Sequence, residues 1–381
     1  MDIGQPSEVG RRERLQALVR EKELSALFVQ AGENRRYLSG FTGSNGWLVV
    51  TPERSALVTD GRYWTQVEEQ CPGVELVRFV PDEHVSVGKR ALLWMQEEGI
   101  SGKVGFESPV MNVCEHTKLV FEAEALKLAV EFVPADNLTE HLRQCKDEAE
   151  LATMVRAARA ADRAFLSALE IFKAGIKERD FCVELEYQMA KHGARKPSFD
   201  SIVASGPNGA FPHAGVTDRV IGHGELVTID FGALLDGYCS DTTRTIWIGE
   251  LPELEQKVYR AVREAHKRAL EAIHPGMLGK EVDKIARDVI VEAGFGEAFK
   301  HGLGHGVGLA VHEMPTLRST SEHVLRVGMV VTVEPGIYLP GQTGCRVEDS
   351  VIITKTGVEY VTKSAYQELG QHHPLEIQPL T

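Results

Sequence analysis

The segment ELVTIDFGALLDGYCSDTTRTIWIG, residues 225–249, restricts the possible folds of this chain more than any other. Two apolar, β-branched runs flank Asp236-Gly237, a dipeptide suited to a two-residue hairpin loop. If those two residues form the loop, Leu235 faces Tyr238, and the same register sets Asp230 opposite Thr243. Asp241, two residues before Thr243, then lies diagonally from Asp230 on the same face, about 7 Å away and within joint reach of metal ions. A β-bulge would shift this register. Aspartate is depleted in strand interiors, and a buried carboxylate needs a partner, a hydrogen-bond network or a metal. Taken alone, Asp230 reads as a capped or salt-bridged structural aspartate. The second aspartate on its face opens the metal reading.

The surrounding chain is long enough for two domains, with 381 residues. Up to about residue 135, short apolar runs (ALFVQ, GWLVVT, SALVTD, VELVRFV, KVGFE) alternate with turn signals, and helical stretches such as RERLQALVREKEL separate some of them. That is the pattern of an α/β domain with a central sheet. The polar stretch DNLTEHLRQCKDEAEL suggests a boundary, giving domains 1–138 and 139–381. Leu151, Met154, Val155, Ala158, Ala161, Phe165, Leu169 and Phe172 keep helical spacing. A second helix follows over about 178–191, then the hairpin segment. The order then recurs, with helices over 254–273 and 280–293 followed by VGMVVTVE and CRVEDSVIIT, both strand-like. The C-terminal part is therefore expected to hold two copies of helix, helix, strands, a duplication inside one fold.

A net charge of −13 argues against nucleic acid or an anionic membrane as partner. The opening MDIGQPSEVGRRERLQ has no apolar core of a secretory signal, and no apolar run approaches a membrane span. The six cysteines, at 71, 114, 145, 182, 239 and 345, include no CxxC pair. They read as free, mostly buried thiols, so a cytoplasmic protein is expected.

The carboxylate pattern recurs downstream. Glu334 ends the apolar run VVTVE, stopped by Pro335, and Glu348 sits in CRVEDSVII. Either one alone reads as a strand-end charge. Between these regions and the first pair lies HGLGHGVGLAVHE, residues 301–313, with glycine at every second position from 302 to 308. A zinc helix of the HExxH type fails, because residue 316 is Thr and Pro315 intervenes. A dinucleotide loop is weak, because the glycines alternate and no helix follows. In the third reading, the glycines let this wall pack closely on another element while His305 projects into a site. Four carboxylates and one imidazole form a hard, oxygen-rich set that suits Mn²⁺, Co²⁺ or Fe²⁺ at least as well as Zn²⁺. The composition is compatible with a dinuclear metallohydrolase and takes the reading no further.

These pieces, together with FPHAG (211–215), TVEPGIY (332–338) and GCRVEDSV (344–351), resemble the pita-bread metallopeptidases in order and spacing over about residues 145–370. That family comprises aminopeptidase P, prolidase and methionine aminopeptidase. The resemblance implies that Asp230 chelates one of two divalent metals, that Asp241 and Glu348 bridge both, and that His305 and Glu334 complete the ligand set of the second metal. The metals, expected to be Mn²⁺ with Co²⁺ or Zn²⁺ as alternatives, would activate a water. Glu334 would act as acid/base, and His213 and His312 would contact substrate and stabilise the tetrahedral intermediate. His301 and Arg346 match the proline-specific branch as substrate-side groups, with Arg346 either organising the acids or meeting a substrate carboxylate. His223, His266 and His274 match nothing and are expected at the surface. Ala310 stands where relatives often carry an acid. RRYLSGFTGSNGWLVV and VTDGRYWTQVEEQ resemble the creatinase/prolidase-type N-terminal domain, which implies a homodimer. The implied activity is that of a Xaa-Pro aminopeptidase acting on peptides with proline at the second position. The alternatives are a Xaa-Pro dipeptidase and, in another class, a non-catalytic binding module.

Overall fold

The computed structural model describes residues 8–81 and 85–374; the polar start at 1–7 lies outside them. The chain separates into two compact units, Met1–Arg143 and Gln144–Thr381. In the first, α1 (Glu8–Glu21), β1 (Ala26–Val29), α2 (Gly32–Ser39), β2 (Trp47–Val50), β3 (Ser55–Asp60), α3 (Trp64–Gln70), β4 (Glu75–Phe79), α4 (Val87–Glu97), β5 (Gly102–Phe106), α5 (Val113–Ala125), β6 (Val130–Pro134) and α6 (Leu138–Arg143) follow in order. Each apolar run singled out above forms a strand. The sheet order is β4-β3-β2-β1-β5-β6, mixed because β1 runs antiparallel to β2 and parallel to β5. Phe28, Val49, Val58 and Val104 pack with Leu92, Trp94 and Met95 of α4 to form its core.

The second unit opens with α7 (Glu148–Ala168), started by a capping box in which Asp147 accepts from Glu150 N at 2.9 Å. Then come α8 (Glu178–Lys191), β7 (Lys196–Pro197), β8 (Ile202–Ser205), β9 (Val227–Phe231), β10 (Ala233–Leu235), β11 (Tyr238–Cys239) and β12 (Thr242–Ile246). Another helix pair follows, α9 (Glu253–Ala272) and α10 (Gly279–Glu292). The remaining strands are β13 (Gly304–Gly306), β14 (Glu313–Leu317), β15 (Val330–Val333), β16 (Gly336–Leu339), β17 (Thr343–Arg346), β18 (Asp349–Ile353) and β19 (Val358–Tyr360). The order helix, helix, strands thus occurs twice. Phe165 of α7 and Phe181 of α8 pack on Val227, Ile229 and Phe231, with Phe165 stacked on Phe231 at 5.1 Å. Val258, Val262, Ala286 and Ile290 of the later pair pack on Val331, Val333 and Val351. Each helix pair covers one face of a sheet, and on the other face of the later sheet Val330 and Ile352 pack with Met154 and Ala158 of α7.

One histidine departs from expectation. His266 is not at the surface; it is 1 % exposed on the apolar face of α9, 3.2 Å from Asp349 Oδ2. Asp349 also receives Arg244 Nη2 at 2.7 Å and Thr362 Oγ1 at 2.7 Å, so a buried ion pair lies beside Glu348. Of the six cysteines, Cys71, Cys182, Cys239 and Cys345 are buried, and all six are free thiols. Among the described residues no helix is long and apolar enough to cross a membrane.

Candidate metal centre

Strand alternation decides where Asp230 points. Ile229 and Phe231 enter the helix-covered core, so Asp230 between them takes the opposite face. The turn sets the rest. Asp236 and Gly237 have φ of 47° and 82°, as a type I′ loop requires. Leu235 pairs with Tyr238 and Asp230 with Thr243, with no bulge in the register. The ladder does lapse beside Gly232 and Asp241, where β9 and β12 give way to β10 and β11 in a different sheet. Glu334 sits at the same kind of lapse between β15 and β16, and Glu348 at another between β17 and β18. The continuous strand expected over CRVEDSVII is therefore two strands with Glu348 between them. Asp241, Glu334 and Glu348, acids unsuited to strand interiors, thus occupy points where the chain changes sheets, whereas Asp230 stays inside β9, paired with Ile202 and Thr243. The lapses are tied together: Glu348 N donates to Thr243 O at 3.1 Å, and Ser350 Oγ donates to Asp241 O at 2.8 Å.

The side chains converge. Ligand atoms of Asp241, His305 and Glu348 all lie within 4.8 Å of one another. His305 Nε2 is 3.7 Å from Asp241 Oδ2 and 3.3 Å from Glu334 Oε1. Its Nδ1 lies 3.0 Å from Gly306 O, which leaves Nε2 as the lone-pair nitrogen of a neutral ring. Asp230 stands outside the tight trio. Its Oδ2 accepts from Arg346 Nη2 at 2.6 Å, while Oδ1 is buried and takes no hydrogen bond. Thr243 is near Asp230, but its single hydroxyl proton goes to Glu348 Oε2 at 2.7 Å.

The electrostatics fit a cation site. Burial and the neighbouring Asp230 charge push the Asp241 carboxyl well above its ordinary range. Burial, with Asp241, Glu334 and Asp230 around it, does the same to Glu348. Asp230 is raised by burial in spite of Arg346. Glu334 behaves oppositely: burial opposes its charge, but the His305 hydrogen bond and charge hold it down to about 2. Burial likewise opposes a charged His305, yet Glu334 and Asp241 lift it to about 9. A buried set of acids with too little positive charge among its own residues, and an orphaned carboxylate oxygen aimed into it, matches the donor chemistry of divalent cations.

Comparison with known proteins agrees. Residues 152–355 match the model of metallopeptidase family M24, and residues 11–145 match the creatinase/prolidase N-terminal domain. The chain belongs to metallopeptidase family M24. A Xaa-Pro dipeptidase of Pyrococcus furiosus is 38 % identical, over 93 % of this chain and 98 % of that protein. The solved Xaa-Pro dipeptidase of Bacillus anthracis superposes with a TM-score of 0.90 at 38 % identity, covering 95 % of this chain and 99 % of its own. The X-Pro aminopeptidase of Thermotoga maritima superposes at 0.81 with 33 % identity, covering 92 % and 97 %.

In this M24 chain the four acids and His305 share a cavity of about 560 Å³ with His213, His301, His312 and Arg346, so all nine residues singled out from the sequence line one space. His312 lies against His305 with ring centroids 4.3 Å apart, and burial lowers its pKa. Burial also lowers that of His301, whose Nε2 is 2.9 Å from Tyr338 Oη. Arg346 gives Nη1 to Tyr338 Oη at 2.8 Å and to Pro212 O at 3.0 Å, Nη2 to Asp230, and Nε to Thr243 Oγ1 at 3.2 Å. These bonds tie it to the acids, while it also lines the cavity. The alternating glycines have their expected use: a Cβ on Gly304 or Gly306 would strike the backbone of Thr332 or Met314. The sequence reading missed Tyr338, which links Arg346 to His301. It also missed Thr332, whose hydroxyl accepts from His305 N at 3.0 Å and donates to Glu334 Oε1 at 3.1 Å. Both lie inside TVEPGIY, where strand alternation sets them on the Glu334 face.

Proposed function

We propose that this chain is a two-metal peptidase that hydrolyses the bond between an N-terminal residue and a following proline. The observation that carries the reading is the meeting of all nine residues in one cavity. Asp230, Asp241, His305, Glu334 and Glu348 would hold two divalent cations, Mn²⁺ being the first candidate for so oxygen-rich a set. Such a pair polarises a peptide carbonyl and lowers the pKa of a water. The protein's own groups do the rest. His305 must shed its proton to ligate, and that releases Glu334 from its ion pair to serve as acid/base. His312, kept neutral by burial, offers an N–H to charge developing on the substrate. His213 faces the same space from the opposite loop, and Arg346 with Tyr338 holds Asp230 and His301 in place.

Dipeptides are the substrate form we favour, because relatives spanning nearly the whole chain are named Xaa-Pro dipeptidase. The likeness to a Thermotoga X-Pro aminopeptidase supports longer peptides as a second reading. With Mn²⁺ present, turnover of Xaa-Pro but not of Xaa-Pro-Yaa-Zaa supports the first, and the reverse supports the second. Activity should vanish with EDTA and return with Mn²⁺. Asp241→Asn should lower kcat/KM by more than about 100-fold, beyond the loss typical of a ligand's hydrogen-bond partner, with unchanged circular dichroism. Near-normal turnover in that variant contradicts the metal role. We also propose a homodimer, supported by resemblance and checked by analytical ultracentrifugation, and a cytoplasmic setting, supported by the six free thiols.

A further inference from the structure

Outside the cavity, one buried carboxylate has more partners than packing requires. Glu178, the first residue of α8, is 0 % exposed. Its Oε1 accepts from Ser205 N at 2.8 Å and Ser205 Oγ at 2.7 Å. Its Oε2 accepts from Thr217 N at 3.2 Å and Thr217 Oγ1 at 2.5 Å. Asn208 Nδ2 lies 3.2 Å from both oxygens. The adjoining backbone reinforces the contact: Glu178 N donates to Arg219 O at 3.0 Å and Arg179 N to Thr217 O at 3.1 Å.

Ser205 and Thr217 flank the loop 206–216, so a single carboxylate closes that loop at both ends. The loop brings Pro212, His213, Ala214 and Gly215 to the cavity wall. His213 itself is exposed, and none of the hydrogen bonds described for the chain involves its ring. The loop backbone carries it to the cavity wall. Arg346 Nη1 holds Pro212 O at 3.0 Å near the middle of that backbone and Glu178 holds the ends, beside Gly206 N to Leu226 O at 2.9 Å and Asn208 Nδ2 to Thr217 Oγ1 at 3.0 Å. Glu178 does not line the cavity.

We infer that Glu178 is a positioning residue, acting through the 206–216 loop to hold His213 where substrate is met. The inference rests on the substrate-side reading of His213. A group misplaced by about 1 Å costs about 100-fold in rate, so a remote staple of this kind has kinetic weight.

The test uses the full-length Mn²⁺-loaded enzyme with an Ala-Pro substrate. Glu178→Gln keeps the shape but turns an NH₂ donor toward the donors of Ser205 or Thr217. It should lower kcat by about 10- to 100-fold, with KM changed less. Hydrogen–deuterium exchange should quicken over 206–217 and stay unchanged in β15 and β18. In a His213→Ala background the same change should cost less than about threefold, because the group it positions is gone. An undiminished loss in that background shows that Glu178 supports the fold generally and overturns the inference. Unchanged loop exchange in Glu178→Gln overturns it independently of any kinetics. Wild-type turnover in His213→Ala alone removes the His213 reading, and the catalytic part of the inference with it. If Glu178→Gln does not fold, Thr217→Val removes one donor and runs the same cycle with the same criteria.

Discussion

Glu348→Gln should separate a functional acid from a structural one by moving stability and activity in opposite directions. The Glu348 side chain is 2 % exposed and shares a space of 4.8 Å with the ligand atoms of Asp241 and His305. Two charged carboxylates at that distance repel by about 3.5 kcal/mol at an effective dielectric constant near 20. The protein can avoid the repulsion by keeping the proton. From the ordinary value of 4.5, that costs about 1.4 kcal/mol per pH unit, or about 3 kcal/mol at pH 7. The two routes give similar ceilings, and His305 offsets part of either. The sign follows from the raised folded-state pKa. Below about pH 4.5 the folded and unfolded states both hold the proton and nothing is lost; as pH rises, only the unfolded state releases it, and stability falls. A neutral Gln that still accepts from Thr243 escapes this penalty. Metal-free Glu348→Gln should therefore be more stable than wild type at pH 7 by about 1–3 kcal/mol, raising Tm of the second unit by about 2–12 °C. The gain should grow from pH 5 to 7. Adding Mn²⁺ should reverse the order, because a cation at 100 times its Kd adds about 2.7 kcal/mol to the wild type and little to a variant lacking the ligand. Calorimetry with EDTA and with Mn²⁺, alongside an Xaa-Pro assay, measures all of this. If the EDTA-treated variant melts below wild type, or Mn²⁺ shifts both equally, Glu348 is a structural acid and the argument fails.

Further outcomes follow from the surroundings of the site. Arg244→Met removes the cationic partner of the Asp349 carboxylate, 0 % exposed, and should cost about 3–5 kcal/mol, a fall in Tm of about 6–20 °C by calorimetry. His266, whose pKa is lowered by burial, should destabilise the fold in acid. Below about pH 6.5 its unfolded form takes up a proton that the folded form refuses, so stability drops by up to about 1.4 kcal/mol per pH unit. Urea midpoints between pH 7 and 5 should lose one proton of slope in His266→Gln. Gly304→Ala pushes a Cβ against the Thr332 backbone and, at 2.8 Å, its Oγ1. It should cost about 1–3 kcal/mol and, by moving the Thr332 link between His305 and Glu334, lower kcat/KM by about 100-fold.

The parts of this site that were legible in the sequence are those governed by a short period. One Asp-Gly dipeptide set the register that pairs Asp230 with Thr243, because a two-residue loop leaves no freedom in the pairing. Glycine at every second position announced a close approach, and Thr332 and Met314 provide it. His266 was legible as well and was misjudged. It stands four residues after Val262 and four before Leu270, on the stripe that α9 buries. Matching it to motifs, when its place in the helical repeat already located it, gave the wrong surface assignment.

What local pattern could not supply is the set of places where strands end early. CRVEDSVII satisfies every criterion for one strand, yet it divides at Glu348 because β17 pairs with β16 while β18 pairs with β15. The first hairpin divides similarly beside Asp241, and Glu348 N then reaches across to Thr243 O. Each lapse is decided by which neighbouring strands take up the pairing, and the bonds that tie the lapses together join residues 105 apart in sequence, as Thr243 and Glu348 are, so no window on either strand contains the information. The chemistry depends on those lapses. Asp230, inside a continuous ladder, faces one side of one sheet, whereas Asp241, Glu334 and Glu348, at points where pairing lapses, reach the same cavity from other strands. The same geometry explains why Tyr338 and Arg346, two residues from Gly336 and Glu348 in sequence, are needed: joints without ladder hydrogen bonds are held by side chains, and Arg346 makes four such bonds there.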